Sequence, residues 1–116
     1  MKKVVSKYSP LDHYQWGDNC DGWNLLDETY LSVKQERMPS GTYELKHYHQ
    51  HAQQFFFILK GKARFEIEDS IIELNTGEGL HIEAGEKHKI INNGQEELEF
   101  ILCSQPPVRK DRINCI

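Results

Sequence analysis

An all-β domain, either a sandwich or a small barrel, is what this sequence predicts, on three observations. Ala63-Arg64-Phe65-Glu66-Ile67-Glu68 alternates apolar and charged residues strictly, the period-two pattern of a strand with one buried face. Residues 40–105 contain no proline, because Pro10, Pro39, Pro106 and Pro107 all lie outside them, and Gly, Asn and Asp cut that stretch into short pieces. No piece carries an apolar period of 3.6 over the length a stable helix needs. About eight short strands at close spacing follow.

The elements read in order as follows. In residues 1–27, Tyr8, Tyr14, Trp16 and Trp23 sit among Gly17, Asn19, Asp21 and Gly22 without any period, so this segment is expected to be an irregular arm. Its aromatics are costly to leave in water, which predicts packing on the barrel or on a second subunit. Residues 28–116 form the single domain. Tyr30–Lys34 and Leu98–Leu102 are weaker copies of the alternating strand, and Lys60-Gly61-Lys62 and Asn92-Asn93-Gly94 supply hairpin-type turns. In Phe55–Leu59, Phe56 and Ile58 share the side of Gln54, while Phe55, Phe57 and Leu59 point the other way. Both faces are apolar, so the outer one is expected to meet a second copy in a homodimer.

Composition narrows the function classes. A chain of 116 residues is one domain, with room for one core. Fourteen Lys plus Arg against eighteen Asp plus Glu give a net charge of -4 without a basic block, so nucleic acid is not the expected partner. The longest apolar run, Phe55 to Leu59, is far short of a membrane span. The basic start has no apolar stretch behind it, which predicts a cytoplasmic protein with no membrane partner. Cys20, Cys103 and Cys115 include no C-x-x-C pair, which argues against a disulfide framework or zinc knuckle and for inert, reduced thiols.

The chief chemical signal is histidine: five of the six lie between positions 47 and 88. His47, His49 and His51 are spaced by two and share one face of a continuous strand, with neighbours about 7 Å apart at Cβ. His88, after Gly85-Glu86-Lys87, is the best supplier of a third imidazole from another strand. Such a set suits zinc, iron, nickel or copper rather than magnesium or calcium. Spacing alone leaves open a solvated His-rich turn, since Gln50, Gln53 and Gln54 are polar. His51 reads as a surface residue beyond the strand end and His81 as a structural histidine, while His13 carries no signal.

Two longer patterns resemble the motifs of the cupin family. The first is Gly41, five residues, His47-Tyr48-His49, four residues, Gln54, six residues, Gly61. The second is Gly77, five residues, Glu83-Ala84-Gly85, two residues, His88, three residues, Asn92. Gln54 stands where the family usually has a metal-binding Glu, and Glu83 where it has Pro. The resemblance implies a double-stranded β-helix, or jelly roll, holding a divalent transition metal (zinc, iron, nickel or manganese) through His47, His49, Gln54 and His88. An amide at position 54 removes one negative charge from that set and predicts weaker binding. Trp16–Trp23 is similar to a segment of small single-domain cupins loosely named mannose-6-phosphate-isomerase-like, a name that reflects fold more than activity.

Two functions are implied by that resemblance. One is a metalloenzyme of isomerase or dioxygenase type acting on a small oxygen-rich molecule, a sugar derivative or carboxylate. The other is a non-catalytic small-molecule sensor or carrier. A metal-independent version of the first would pair His49 or His88 with Tyr43 or Tyr48. Tyr43, Phe56 and Ile58 are the expected ligand contacts, with Tyr43 and Leu45 sharing parity with His47. Arg37 is a candidate anion anchor at the mouth, and Arg64 is expected to face solvent.

Overall fold

Period-two alternation of burial is clear at Gln53–Lys60 and Ala63–Ile67. In a computed structural model that describes residues 2–115, eleven strands form and no helix: β1 (Asp12–Trp16), β2 (Cys20–Asp27), β3 (Ser32–Met38), β4 (His47–His49), β5 (Gln53–Lys60), β6 (Ala63–Ile67), β7 (Ser70–Leu74), β8 (Gly79–Ile82), β9 (His88–Ile91), β10 (Leu98–Gln105) and β11 (Arg112–Asn114). They build two antiparallel sheets, a six-stranded one in the order β1-β2-β3-β10-β5-β8 and a five-stranded one in the order β11-β4-β9-β6-β7. This is the all-β jelly roll expected, with more strands than the eight read from the sequence. Among the described residues no helix is long and apolar enough to cross a membrane.

The core lies between the sheets. In β5, Gln54, Phe56 and Ile58 are buried while Gln53, Phe55, Phe57 and Leu59 are exposed, the parity the sequence indicates. Phe56 meets Phe65 of the opposite sheet edge-on at 5.0 Å between ring centroids, and Phe100, Met38, Leu98 and Ile90 complete the packing.

Two expectations are corrected. Much of the segment expected to be an irregular arm is a β-hairpin: β1 pairs with β2 from Asp12↔Asn24 to Trp16↔Cys20, and β2 continues the sheet onto β3. Pairing overrides weak local alternation here, because β3 offers a ready ladder and Gly17 and Asn19 supply positive φ at the turn. Three of its four aromatics are placed within the chain, Trp16 against the core, Trp23 stacked on His13 and Tyr14 bonded to Glu36, whereas Tyr8 stays 87% exposed. The turns at Gly61 and at Asn92–Gly94 do not close hairpins. Each carries the chain from one sheet to the other, since β5 and β10 lie in one sheet and β6 and β9 in the other. At Gly61, with φ of 80°, a Cβ would stand 2.5 Å from the carbonyl oxygen of Glu97, so that corner requires glycine.

Candidate functional site

β4 consists of only His47-Tyr48-His49. It is held on one side by β11, with Asn114 opposite His47 and Arg112 opposite His49, and on the other by β9, with His47 opposite His88. This pairing brings the three histidines of the two sequence motifs together. Ring centroids are 4.4 Å apart for His47–His88, 4.9 Å for His47–His49 and 5.8 Å for His49–His88. One nitrogen from each lies within 4.8 Å of the others, and none of the three residues is more than 3% exposed.

Backbone carbonyls set the tautomers of two rings. His47 Nδ1–H donates to Leu45 O and His88 Nδ1–H to Glu86 O, both at 2.8 Å, which leaves each Nε2 with a free lone pair. Burial disfavours the charged imidazolium and lowers all three pKa values, to about 3 for His47 and about 4 for His49. The rings are therefore neutral at neutral pH, as metal ligation requires.

The residues fit a metal ion. Both ring nitrogens of His49, Nε2 of His88 and Oε1 of Gln54 are buried without a hydrogen-bond partner in the protein, an arrangement that is costly unless something else pairs with them. Gln54 comes from the opposite sheet; its Nε2 donates to Ser104 Oγ at 3.1 Å, so the amide oxygen is the atom left over.

His47, His49 and Gln54 open onto a cavity of about 210 Å³. Trp16, Phe56, Ile90, Leu102 and Val108 supply its apolar walls, and Tyr14, Lys34, Glu36, Glu44 and Arg112 its remaining polar groups. Glu44 Oε1 accepts from the Ile90 amide at 3.2 Å, and Oε2 lies 3.7 Å from an Arg112 nitrogen. Burial pushes its carboxyl up to about 8. Burial also raises Glu36, against a hydrogen bond from the Tyr14 hydroxyl that favours the charged form.

The sequence does not mark those five polar residues as members of one site. Lys34 and Glu36 carry a weak signal, being two apart on a strand. Tyr14, Arg112 and Glu44 carry none, because long-range pairing alone brings them in. Of the expected ligand contacts, Phe56 lines the cavity. Ile58 is fully buried in the core instead, and Tyr43 is 58% exposed, with Lys89 Nζ 5.3 Å from its ring centroid. Parity with His47 fails for Tyr43 and Leu45 because β4 begins at His47 and the residues before it are irregular. The tyrosine inside is Tyr14, whereas Tyr48 projects from the opposite face of β4 to His47 and His49. Arg37 is no mouth anchor: it faces away from the cavity, paired at 2.7 Å with both Asp21 and Glu97. His51 is exposed in the turn after β4, and exposed His81 bonds Gln53 at 2.8 Å.

A two-sheet jelly roll with three buried histidines on paired strands defines a class of small β-proteins built around a polar interior. The cupin domain model matches residues 34–104, and the chain belongs to the cupin family. It is 29% identical over 112 residues to an uncharacterized protein of Methanocaldococcus jannaschii, covering 92% of this chain and 90% of that one. Among solved structures, an RmlC-like cupin from Shewanella frigidimarina superposes with a TM-score of 0.82 at 13% identity, over 95% of this chain and 96% of that one. A predicted oxalate decarboxylase from Thermotoga maritima gives 0.80 at 19% identity, over 90% and 100%. The polyketide cyclase RemF from Streptomyces resistomycificus gives 0.79 at 16%, over 100% and 87%. At these identities the structures show the fold alone. Tyr14, Trp16, Val108 and Arg112 line the cavity from outside residues 34–104, the span that the cupin domain model matches.

Proposed function

We propose that the chain is a metal-dependent enzyme that binds one divalent transition ion (zinc, iron, nickel or manganese) through His47, His49 and His88, with Gln54 as a weaker fourth ligand, and acts on a small oxygen-rich molecule in the adjoining cavity. The observation that carries this reading is the convergence of three buried, neutral imidazoles with free lone pairs. When bound, such an ion supplies Lewis acidity to a carbonyl or hydroxyl oxygen, or a site for dioxygen if it is iron. The chain's own part is to orient the ligand against Trp16 and Phe56, exclude water, and offer Glu36, Tyr14, Lys34 and Arg112 for hydrogen bonding. Both isomerase and dioxygenase chemistry are compatible with that set. Two structures of the same fold are named for enzymes of different classes, a predicted oxalate decarboxylase and a polyketide cyclase, so the fold admits more than one chemistry and does not select the reaction.

The test is metal analysis of protein purified without a His tag, repeated on His49→Ala. About one equivalent in the wild type and near none in the variant is the expected result. A wild type that takes up no ion from any of the four would overturn the reading and leave the binding module, a sensor or carrier, in its place. Three unpaired cysteines fit a reducing, cytoplasmic setting.

A further inference from the structure

Two carboxylates face the cavity, and they are not equivalent. Glu44 is committed on both oxygens, to the Ile90 amide and toward Arg112. Glu36 accepts the Tyr14 hydroxyl at Oε2, and no other hydrogen bond among the described residues reaches it. Its Oε1 is available to a ligand.

The position of Glu36 is built across three strands. Tyr14 pairs with Gly22, and Gly22 with Glu36, in one row across β1, β2 and β3. A Cβ at Gly22 would lie 2.0 Å from Cζ of Tyr14, so only glycine lets the ring lie over β2 and reach Glu36. Lys34, on the same face two residues earlier, has Nζ 5.5 Å from the Tyr14 ring centroid and enters no ion pair among the described residues.

We propose that Glu36, positioned by Tyr14, reads the hydroxyl groups of a polyhydroxylated carboxylate whose anionic end lies toward Lys34 and the histidine centre. This rests on the reading of the cavity as a site for a small oxygen-rich molecule. A hydroxyl suits Glu36 in either protonation state, donating to the carboxylate or accepting from the carboxyl. Arg112 is set against Glu44, whereas Lys34 enters no ion pair among the described residues, so the uncommitted charge beside Glu36 is a cation and favours an anionic group over an amine. The size agrees: about 210 Å³ is below the ~300–1,000 Å³ of drug-sized pockets and accommodates a chain of a few carbons. A site built to bond hydroxyls discriminates strongly against an analogue that lacks them, since its own polar groups are then left unpaired.

The experiment compares L-threonate with butyrate, carboxylates of equal carbon number with and without hydroxyls, by calorimetry on zinc-loaded wild type, Glu36→Leu, Glu36→Gln and Tyr14→Phe. The affinity ratio is the readout, because removing the Glu36 charge changes attraction for both anions alike. Threonate is expected to bind at least about tenfold tighter in the wild type. That preference should fall below about threefold in Glu36→Leu, be reduced in Tyr14→Phe and partly return in Glu36→Gln, with zinc content unchanged throughout. Equal binding of both probes by the wild type, or a preference untouched in Glu36→Leu, overturns this inference and leaves the metal site standing. Binding of neither probe by zinc-loaded wild type overturns the small-molecule reading of the cavity along with it.

Discussion

Gln54 stands where the first cupin motif usually has Glu, and its neighbourhood indicates what an amide does there. The amide keeps a hydrogen bond to Ser104 and presents an unpartnered oxygen to the cavity, so an ion there would meet a dipole where the motif supplies a charge. Gln54→Glu is expected to raise zinc affinity by about tenfold or more while destabilising the metal-free protein, because the new carboxylate is then a buried charge without a cation. Competition against a chelator and denaturant unfolding without metal measure the two effects separately. The loss of charge at 54 is accompanied by two carboxylates elsewhere in the cavity, Glu36 and Glu44. The histidine motifs were legible in the sequence because ligands two apart on one strand need only local geometry. The five other polar groups were not, since they arrive from β1, β3, β11 and the segment before β4.

At the scale of the element, the β1–β2 hairpin is the feature least expected and most consequential. Gly17 serves its turn, but its second glycine is set by a contact: Gly22 makes room for Tyr14. Gly22→Ala should therefore destabilise the fold by about 2 kcal/mol through overpacking. The double variant Gly22→Ala/Tyr14→Ala should lose less than the two single costs added together, as urea unfolding of the four proteins would show. The hairpin is also secured from outside. Lys7 Nζ bonds Glu99 of β10 at 2.8 Å and lies 5.6 Å from the Trp23 ring, and the Glu99 hydrogen bond raises the Lys7 pKa above 10.5. A raised lysine contributes stability below its unfolded pKa and loses it as pH rises through the folded value. Lys7→Met should then cost about 1 kcal/mol at pH 7, and the gap from wild type should close as unfolding is followed above pH 10.5.

For the whole molecule, the outer face of β5 is the surface that asks for a partner. Phe55, Phe57 and Leu59 are 43%, 38% and 41% exposed in one row, and three neighbouring apolar side chains in water are a recurring mark of association. The two N-terminal tryptophans do not add to that surface, because Trp16 turns inward and Trp23 packs against His13 and Lys7. A homodimer through β5 is therefore expected, sedimenting at micromolar concentration as twice the 13.6 kDa protomer. Phe57→Lys should shift it to the monomer, and a wild type that sediments as a monomer would remove the interface.

The sequence by itself determined the all-β class, the alternation of β5 and β6, and the three histidines, because each depends on residues close together in the chain and on the two-residue repeat of a strand. It could also indicate that Phe55 and Phe57 face outward, for the same reason. Tertiary structure alone decided that residues 12–27 form a hairpin, that the Gly61 and Asn92–Gly94 turns cross between sheets, and that Tyr14, Glu36, Glu44 and Arg112 share a cavity with the histidines. Those outcomes depend on which strand pairs with which and in what register, and β4, only three residues long, takes its place from β9 and β11 on either side. A local pattern specifies which face of a strand is buried, but only its distant partners specify what that face meets.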